Sequence, residues 1–147
     1  MKITKNFKTL NRLAGQAIGD YKMISDGDRL LLGLSGGTDS FTLLCLLHYM
    51  KKRAPIHFEL YAVTFDPGFP GFAAEKIQEY CRNNHWPHQL IAMNIPQLLQ
   101  RCNAEERPCV LCSRMRRGKL YETARKLNCN KLVLGHHLDD IAVSFLI

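Results

Sequence analysis

The chain has 147 residues, the size of one ordinary domain. Its 46% hydrophobic content is enough for a core, while a mean hydropathy of −0.16 without a long apolar run excludes a membrane span. A formal net charge of +7 favours polyanionic partners without naming one. The polar, amphipathic stretch 1–20 lacks a secretory signal, so the six cysteines are expected as reduced thiols, metal ligands or redox groups in a cytoplasmic protein rather than a disulfide framework.

Phe7, Leu10, Ala14, Ala17, Ile18 and Tyr21 recur at steps of three and four, which predicts an amphipathic helix over 4–24. Its other face carries Lys5, Lys8, Arg12 and Lys22, either a solvated face or a first contact with RNA phosphate. After a turn at Ser25-Asp26-Gly27-Asp28, the apolar run 30–34 reads as a central parallel strand. Residues 41–50 read as a helix packed on a sheet, stopped by the cations of 51–53 and by Pro55. Residues 58–65 form the second expected strand, followed by a glycine-broken loop at 66–72. That loop opens with Asp66 at a strand's carboxyl end, where open α/β sheets bind ligands. Phe65, Phe69 and Phe72 could cover an adenine face or simply the end of the sheet.

A helix over 73–84, a third strand over 89–93, a short turn or helix at 96–101, a helix ending near 128 and a fourth strand over 131–134 complete the order. The alternation predicts an α/β fold, a Rossmann-like doubly wound parallel sheet.

Three motifs carry the chemistry. Ser35-Gly36-Gly37-Thr38-Asp39-Ser40 joins the first strand to its helix. Glycines that let an anion approach the backbone, hydroxyl donors and a helix N-terminus make a phosphate site. The simpler reading is a tight turn capped by Ser and Asp. The stretch fits neither Gly-x-Gly-x-x-Gly nor a Walker loop, since no Lys follows the second Gly. Pro108-Cys109-Val110-Leu111-Cys112 precedes a basic run containing Arg114, Arg116, Arg117 and Lys119. If helical, cysteines three apart share a face and can reach one metal or each other. Neighbouring cations favour thiolate, and the arginines also suit phosphate. Gly135-His136-His137-Leu138-Asp139-Asp140 follows the fourth strand. There Gly135 permits close approach, and the aspartates can cap a helix or hold Mg²⁺ against phosphate.

S-G-G-x-D-S resembles the pyrophosphate loop of the ATP-pyrophosphatase superfamily, whose members split ATP between the α and β phosphates. With P-C-x-x-C-x-R-x-R-R-G at 108–118 and G-H-H-x-D-D at 135–140, the chain resembles the tRNA 2-thiocytidine synthetases (the TtcA family) over roughly residues 10–145. The resemblance implies the adenine nucleotide alpha-hydrolase type of fold, with strand order 3-2-1-4-5. It also implies adenylation of a cytosine C2 oxygen in tRNA by ATP, then replacement of AMP by sulfur. Ser35, Gly36, Gly37, Thr38 and Ser40 would bind pyrophosphate, with Asp39 acting beside them through Mg²⁺ or as a cap. Asp66, Gly135 and His136 would line the nucleotide site, and Asp140 would assist the metal or the helix start. Cys109 and Cys112, with a third cysteine, would hold a 4Fe-4S cluster carrying the sulfur.

Two departures stand out. Position 38 is Thr where this branch carries Lys, which removes a phosphate-facing cation. The chain ends at Ile147, before the family's fifth strand and third cysteine; Cys45, Cys81, Cys102 and Cys129 match no family ligand, and Cys102 is the nearest substitute. The expected partners are tRNA, a sulfur donor protein, and a second copy or partner chain covering the edge of the fourth strand. An ATP- or AMP-binding module without turnover and a degenerate truncated product are the alternatives.

Overall fold

The computed structural model describes residues 4–102 and 108–136. In chain order the elements are α1 (Lys5–Asp20), β1 (Arg29–Leu34), α2 (Thr38–Lys51), β2 (Glu59–Asp66), α3 (Ala74–Asn83), β3 (His88–Ala92), α4 (Ile95–Cys102), α5 (Pro108–Lys126) and β4 (Lys131–Leu134). The four strands form one parallel sheet in the order β3-β2-β1-β4, as expected from the sequence.

Leu30, Leu31 and Leu32 of β1 are all fully buried because helices cover both faces of the sheet. Leu30, Leu32 and Leu34 join Leu60 and Ala62 of β2, Leu44 and Leu47 of α2, and Ile77 and Cys81 of α3. On the other face, Leu31 packs with Val63, Phe65, Met93 and Ile95, together with Leu120 and Ala124 of α5. Each fully buried leucine stabilises this arrangement by about 1.5–3 kcal/mol relative to exposure. Among the described residues, no helix is long and apolar enough to cross a membrane.

The order has a consequence for ligands. From β1 the chain runs outward to β2 and β3, then returns to place β4 on the opposite side of β1. In such sheets the crevice lies outside the carboxyl ends of the two strands at the reversal. Here those strands are β1 and β4, and the segments leaving them are the two motifs at 35–40 and 135–136.

The opposite end of the same strand pair is tied by a carboxylate. Asp28, 6% exposed, accepts from the Ser25 amide at 2.7 Å and from Asn130 Nδ2 at 2.7 Å. It also pairs with Lys131 Nζ at 2.6 Å. Hydrogen bonding from Lys131, then from Ser25 and Asn130, lowers its pKa from 3.8 to about 2. A depressed carboxyl pKa contributes stability that is present above the unfolded value and is lost as the pH falls through the folded one. Urea unfolding should therefore show the native chain more stable than Asp28→Asn at neutral pH. That gap should close between about pH 4 and about pH 2; a gap independent of pH over this window would contradict the assignment.

Candidate nucleotide site at the β1–α2 turn

The turn after β1 is shaped by glycine and held by its own hydroxyls. Gly36 has φ +86°, a conformation that strains any L side chain. A Cβ there would also lie 3.4 Å from Ile77 Cδ1 and 3.6 Å from Phe72 Cε2, so α3 and the loop before it close against the turn. Ser40, 3% exposed, donates from Oγ to the Gly37 carbonyl at 2.9 Å. Its Oγ accepts from the Ser35 amide at 3.3 Å and lies 3.2 Å from Ser35 Oγ. Ser35 Oγ in turn accepts from the Gly37 amide at 3.3 Å. A hydroxyl has one proton, so Ser40 here pins the turn rather than pointing a donor outward. Gly37 is the N-cap of α2 and supplies no side-chain cap. A glycine at the head of a helix leaves room for an external anion, and the helix dipole favours one. Thr38 and Asp39 open the helix and are exposed.

Gly135 comes from the far side. A Cβ at this position would lie 3.1 Å from both Cα and N of Ser40, so a side chain there would press on the backbone of α2. The result is a cavity of about 110 Å³ with Ser35, Ser40, Gly135, His136 and Arg116 in its wall. A second cavity, about 490 Å³, lies on the α3 side of the turn; it is walled by Ser35, Gly36, Phe41, Phe72, Tyr80 and Lys76. The smaller volume suits a single phosphate group. The larger falls in the range of small-molecule sites and has aromatic surface for a base.

Of the three phenylalanines that could cover an adenine, only Phe72 flanks this larger cavity. Phe65 is 5% exposed in the core and reaches the smaller cavity, whereas Phe69 is 41% exposed. Asp66 ends β2 and is in the wall of neither cavity; its Oδ1 accepts from the Gly68 amide at 2.8 Å and so shapes its own loop. His136 is exposed at the cavity mouth. Asp140, like His137 and Asp139, lies outside the described residues.

Cys109 and Cys112 fall on the first turns of α5, so the helical condition for their spacing holds. A cluster needs further ligands. Cys81 is buried in the core, and burial pushes its pKa up to about 11. Burial likewise raises Cys45 and Cys129, and Cys129 lies just before β4, at the end of the sheet away from the turn. Cys102 closes α4. Among the described residues no group of three or more His, Cys, Asp or Glu is placed to hold a metal.

The PP-loop domain family matches residues 5–147. The chain belongs to the PP-loop domain family. It is 41% identical over 145 residues to the tRNA-cytidine(32) 2-sulfurtransferase of Geobacter sulfurreducens, covering 96% of this chain and 55% of that protein. It is 43% identical over 141 residues to the enzyme of the same name from Alkalilimnicola ehrlichii, covering 95% and 45%. The chain thus spans about half the length of the curated relatives it matches. Among solved structures it resembles the U34-tRNA thiolase NcsA from Methanococcus maripaludis, described with its [4Fe-4S] cluster. The TM-score is 0.65 with 23% identity, over 83% of this chain and 42% of that one.

The sequence singled out the PP-loop turn and Gly135. It did not assign Arg116 to this cavity. The residue stood in the basic run as a candidate RNA contact, and no spacing rule links position 116 to position 35.

The contact at Gly135 is testable. Gly135→Ala puts a methyl where backbone stands 3.1 Å away, and overpacking of this kind costs about 1–3 kcal/mol. The urea midpoint should fall accordingly; an unchanged midpoint would show that the β4 segment does not press on α2.

Proposed function

We propose that this chain is the ATP-binding and activating part of a tRNA thiolation enzyme that adenylates the C2 oxygen of a cytosine in tRNA. The observation that carries the reading is the glycine turn at the β1/β4 crevice, with Gly36 at φ +86° and Gly135 closing its far side. The similarity to tRNA-cytidine(32) 2-sulfurtransferases supplies the substrate class.

In this reading the amides of the turn and of the first turn of α2 receive the β and γ phosphates. Helix polarity stabilises the charge that develops on departing pyrophosphate. Ser40 and Ser35 keep the turn in shape, and Asp39 of the first turn would hold Mg²⁺ against phosphate, since Mg²⁺ takes one or two carboxylates together with phosphate oxygens. The aromatic wall of Phe72 and Tyr80 holds the base. The cytosine O2 attacks the α phosphorus, an O–P bond forms and the bond to the β-phosphate oxygen breaks. The substituted C2 oxygen then leaves as AMP when a sulfur nucleophile adds to C2. Activation of this kind turns a poor leaving group into a good one.

Cys109 and Cys112 supply two thiolates for the sulfur-handling step. Two thiols would be part of the ligand set of a 4Fe-4S cluster, which takes further ligands. A sulfur donor protein and pairing of a second copy or partner chain along β4, one of the two outer strands of the described sheet, belong to the same proposal. The second reading, an ATP- or AMP-binding module without turnover, rests on the cavities beside the turn alone and takes nothing from the cysteines.

Pyrophosphate release separates the two readings. With ATP, Mg²⁺ and unmodified tRNA, the chain should release pyrophosphate in a tRNA-dependent manner, and Gly36→Asp should abolish both release and nucleotide binding while keeping its far-UV circular dichroism. Nucleotide binding without tRNA-dependent release would favour the binding module. Gly36→Asp binding nucleotide as well as the native chain would remove the assignment of the turn.

A further inference from the structure

The turn that would hold the triphosphate has no cation of its own. Residues 33–44 contain neither Lys nor Arg, and Asp39 adds a negative charge in the first turn of α2. Amide dipoles at a helix end amount to about half an elementary charge, well short of what a triphosphate carries. Two cationic side chains border the turn from other elements. Lys76 of α3 lines the 490 Å³ cavity with Phe41, Phe72 and Tyr80. Arg116 of α5 lines the 110 Å³ cavity with Ser35, Ser40, Gly135 and His136.

We propose that Arg116 is the phosphate-binding cation of this site, reaching from α5 into the cavity between the turn and Gly135; the proposal rests on the reading of the turn as an ATP site. The cavity selects it over Lys76. At about 110 Å³ it is well under the roughly 300 Å³ at which small-molecule pockets begin and too small for a nucleoside; Ser35, Ser40, Arg116 and His136 are its polar wall, opposite Leu34, Phe65, Leu120 and Leu134. The wall that Lys76 joins is aromatic and suits a base. A planar guanidinium donates two parallel hydrogen bonds to phosphate oxygens, which a point-like ammonium does not.

The anchoring of α5 makes this placement reproducible. Leu120, one turn further along the helix and 5% exposed, is packed in the core against the sheet and reaches the same cavity. Arg116 is therefore carried by a helix fixed next to β1 and β4, rather than by a loop. The basic run then has two uses, with Arg116 facing the nucleotide and its neighbours remaining available for RNA.

The test is titration calorimetry of MgATP, without RNA, into the native chain, Arg116→Ala, Arg116→Met, Lys76→Ala and Arg125→Ala. Met keeps an apolar stem against the helix surroundings and removes only the fork, so it reports even if Ala disturbs folding. Loss of a bidentate charge-assisted contact should weaken binding roughly ten- to hundredfold in both Arg116 variants. Arg125→Ala, an exposed change in the last turn of the same helix, should bind as the native chain does. Native-like affinity in Arg116→Met, or a loss confined to Lys76→Ala, would overturn the proposal and leave the ATP site standing. Absence of MgATP binding by the native chain would overturn both. Filter binding of labelled tRNA without nucleotide gives the remaining outcome: a tRNA defect in Arg116→Met with native MgATP affinity would make Arg116 an RNA contact.

Discussion

The site depends on the close approach of β4's exit to the backbone of α2. Gly135 rests where a methyl would meet Ser40 Cα and N at 3.1 Å. That contact turns two strand ends, 100 residues apart in sequence from Ser35 to Gly135, into one crevice. Without it, the turn after β1 would be an open helix start, accessible to water on both sides and weak as an anion site. With it, the turn has a floor, a small cavity and a route for a side chain of α5 to reach the same space. The ion-pair cluster of Asp28, Asn130 and Lys131 holds the other end of the same two strands. The register of β1 on β4 is thus fixed at both ends, and the core leucines between them are its filling.

Charge explains the division of labour around this crevice. The turn offers oriented amides and a helix dipole but no full positive charge. Its two serine hydroxyls are spent on its own shape, with Ser40 bonded to Gly37 and Ser35 bonded to Gly37 and Ser40. A polyanion bound here needs counter-charge from elsewhere in the fold. The aromatic cavity on the α3 side provides apolar surface instead. A nucleotide lying across the turn would meet each kind of surface with the matching part of itself.

Most of the fold was legible because its signals are local. The apolar run at 30–34, the glycines of the turn and the helical spacing in α1, α3 and α5 each declare an element. The observed boundaries fall close to those expected, the largest difference being the earlier end of α1. The sheet order followed from alternation and from family resemblance, and the structure has it. What the sequence did not disclose is through-space placement. It could not tell that Ser40 spends its proton on Gly37, that Asp66 caps its own loop at Gly68, or that Phe65 is buried in the core while Phe72 meets the turn. The cysteines show the same limit: the i, i+3 spacing of Cys109 and Cys112 is plain in sequence, but only the structure places Cys81 in a hydrophobic core and Cys129 at the opposite end of β4 from the turn.

The central claim, that the turn between β1 and α2 receives the phosphates of ATP, is tested most directly by amide hydrogen exchange with and without MgATP. Phosphate bound there would protect the amides of 36–40, with a smaller effect at Gly135 and Arg116 and none along α1. Binding of MgATP that left 36–40 exchanging as in the free chain, with protection elsewhere, would contradict the account.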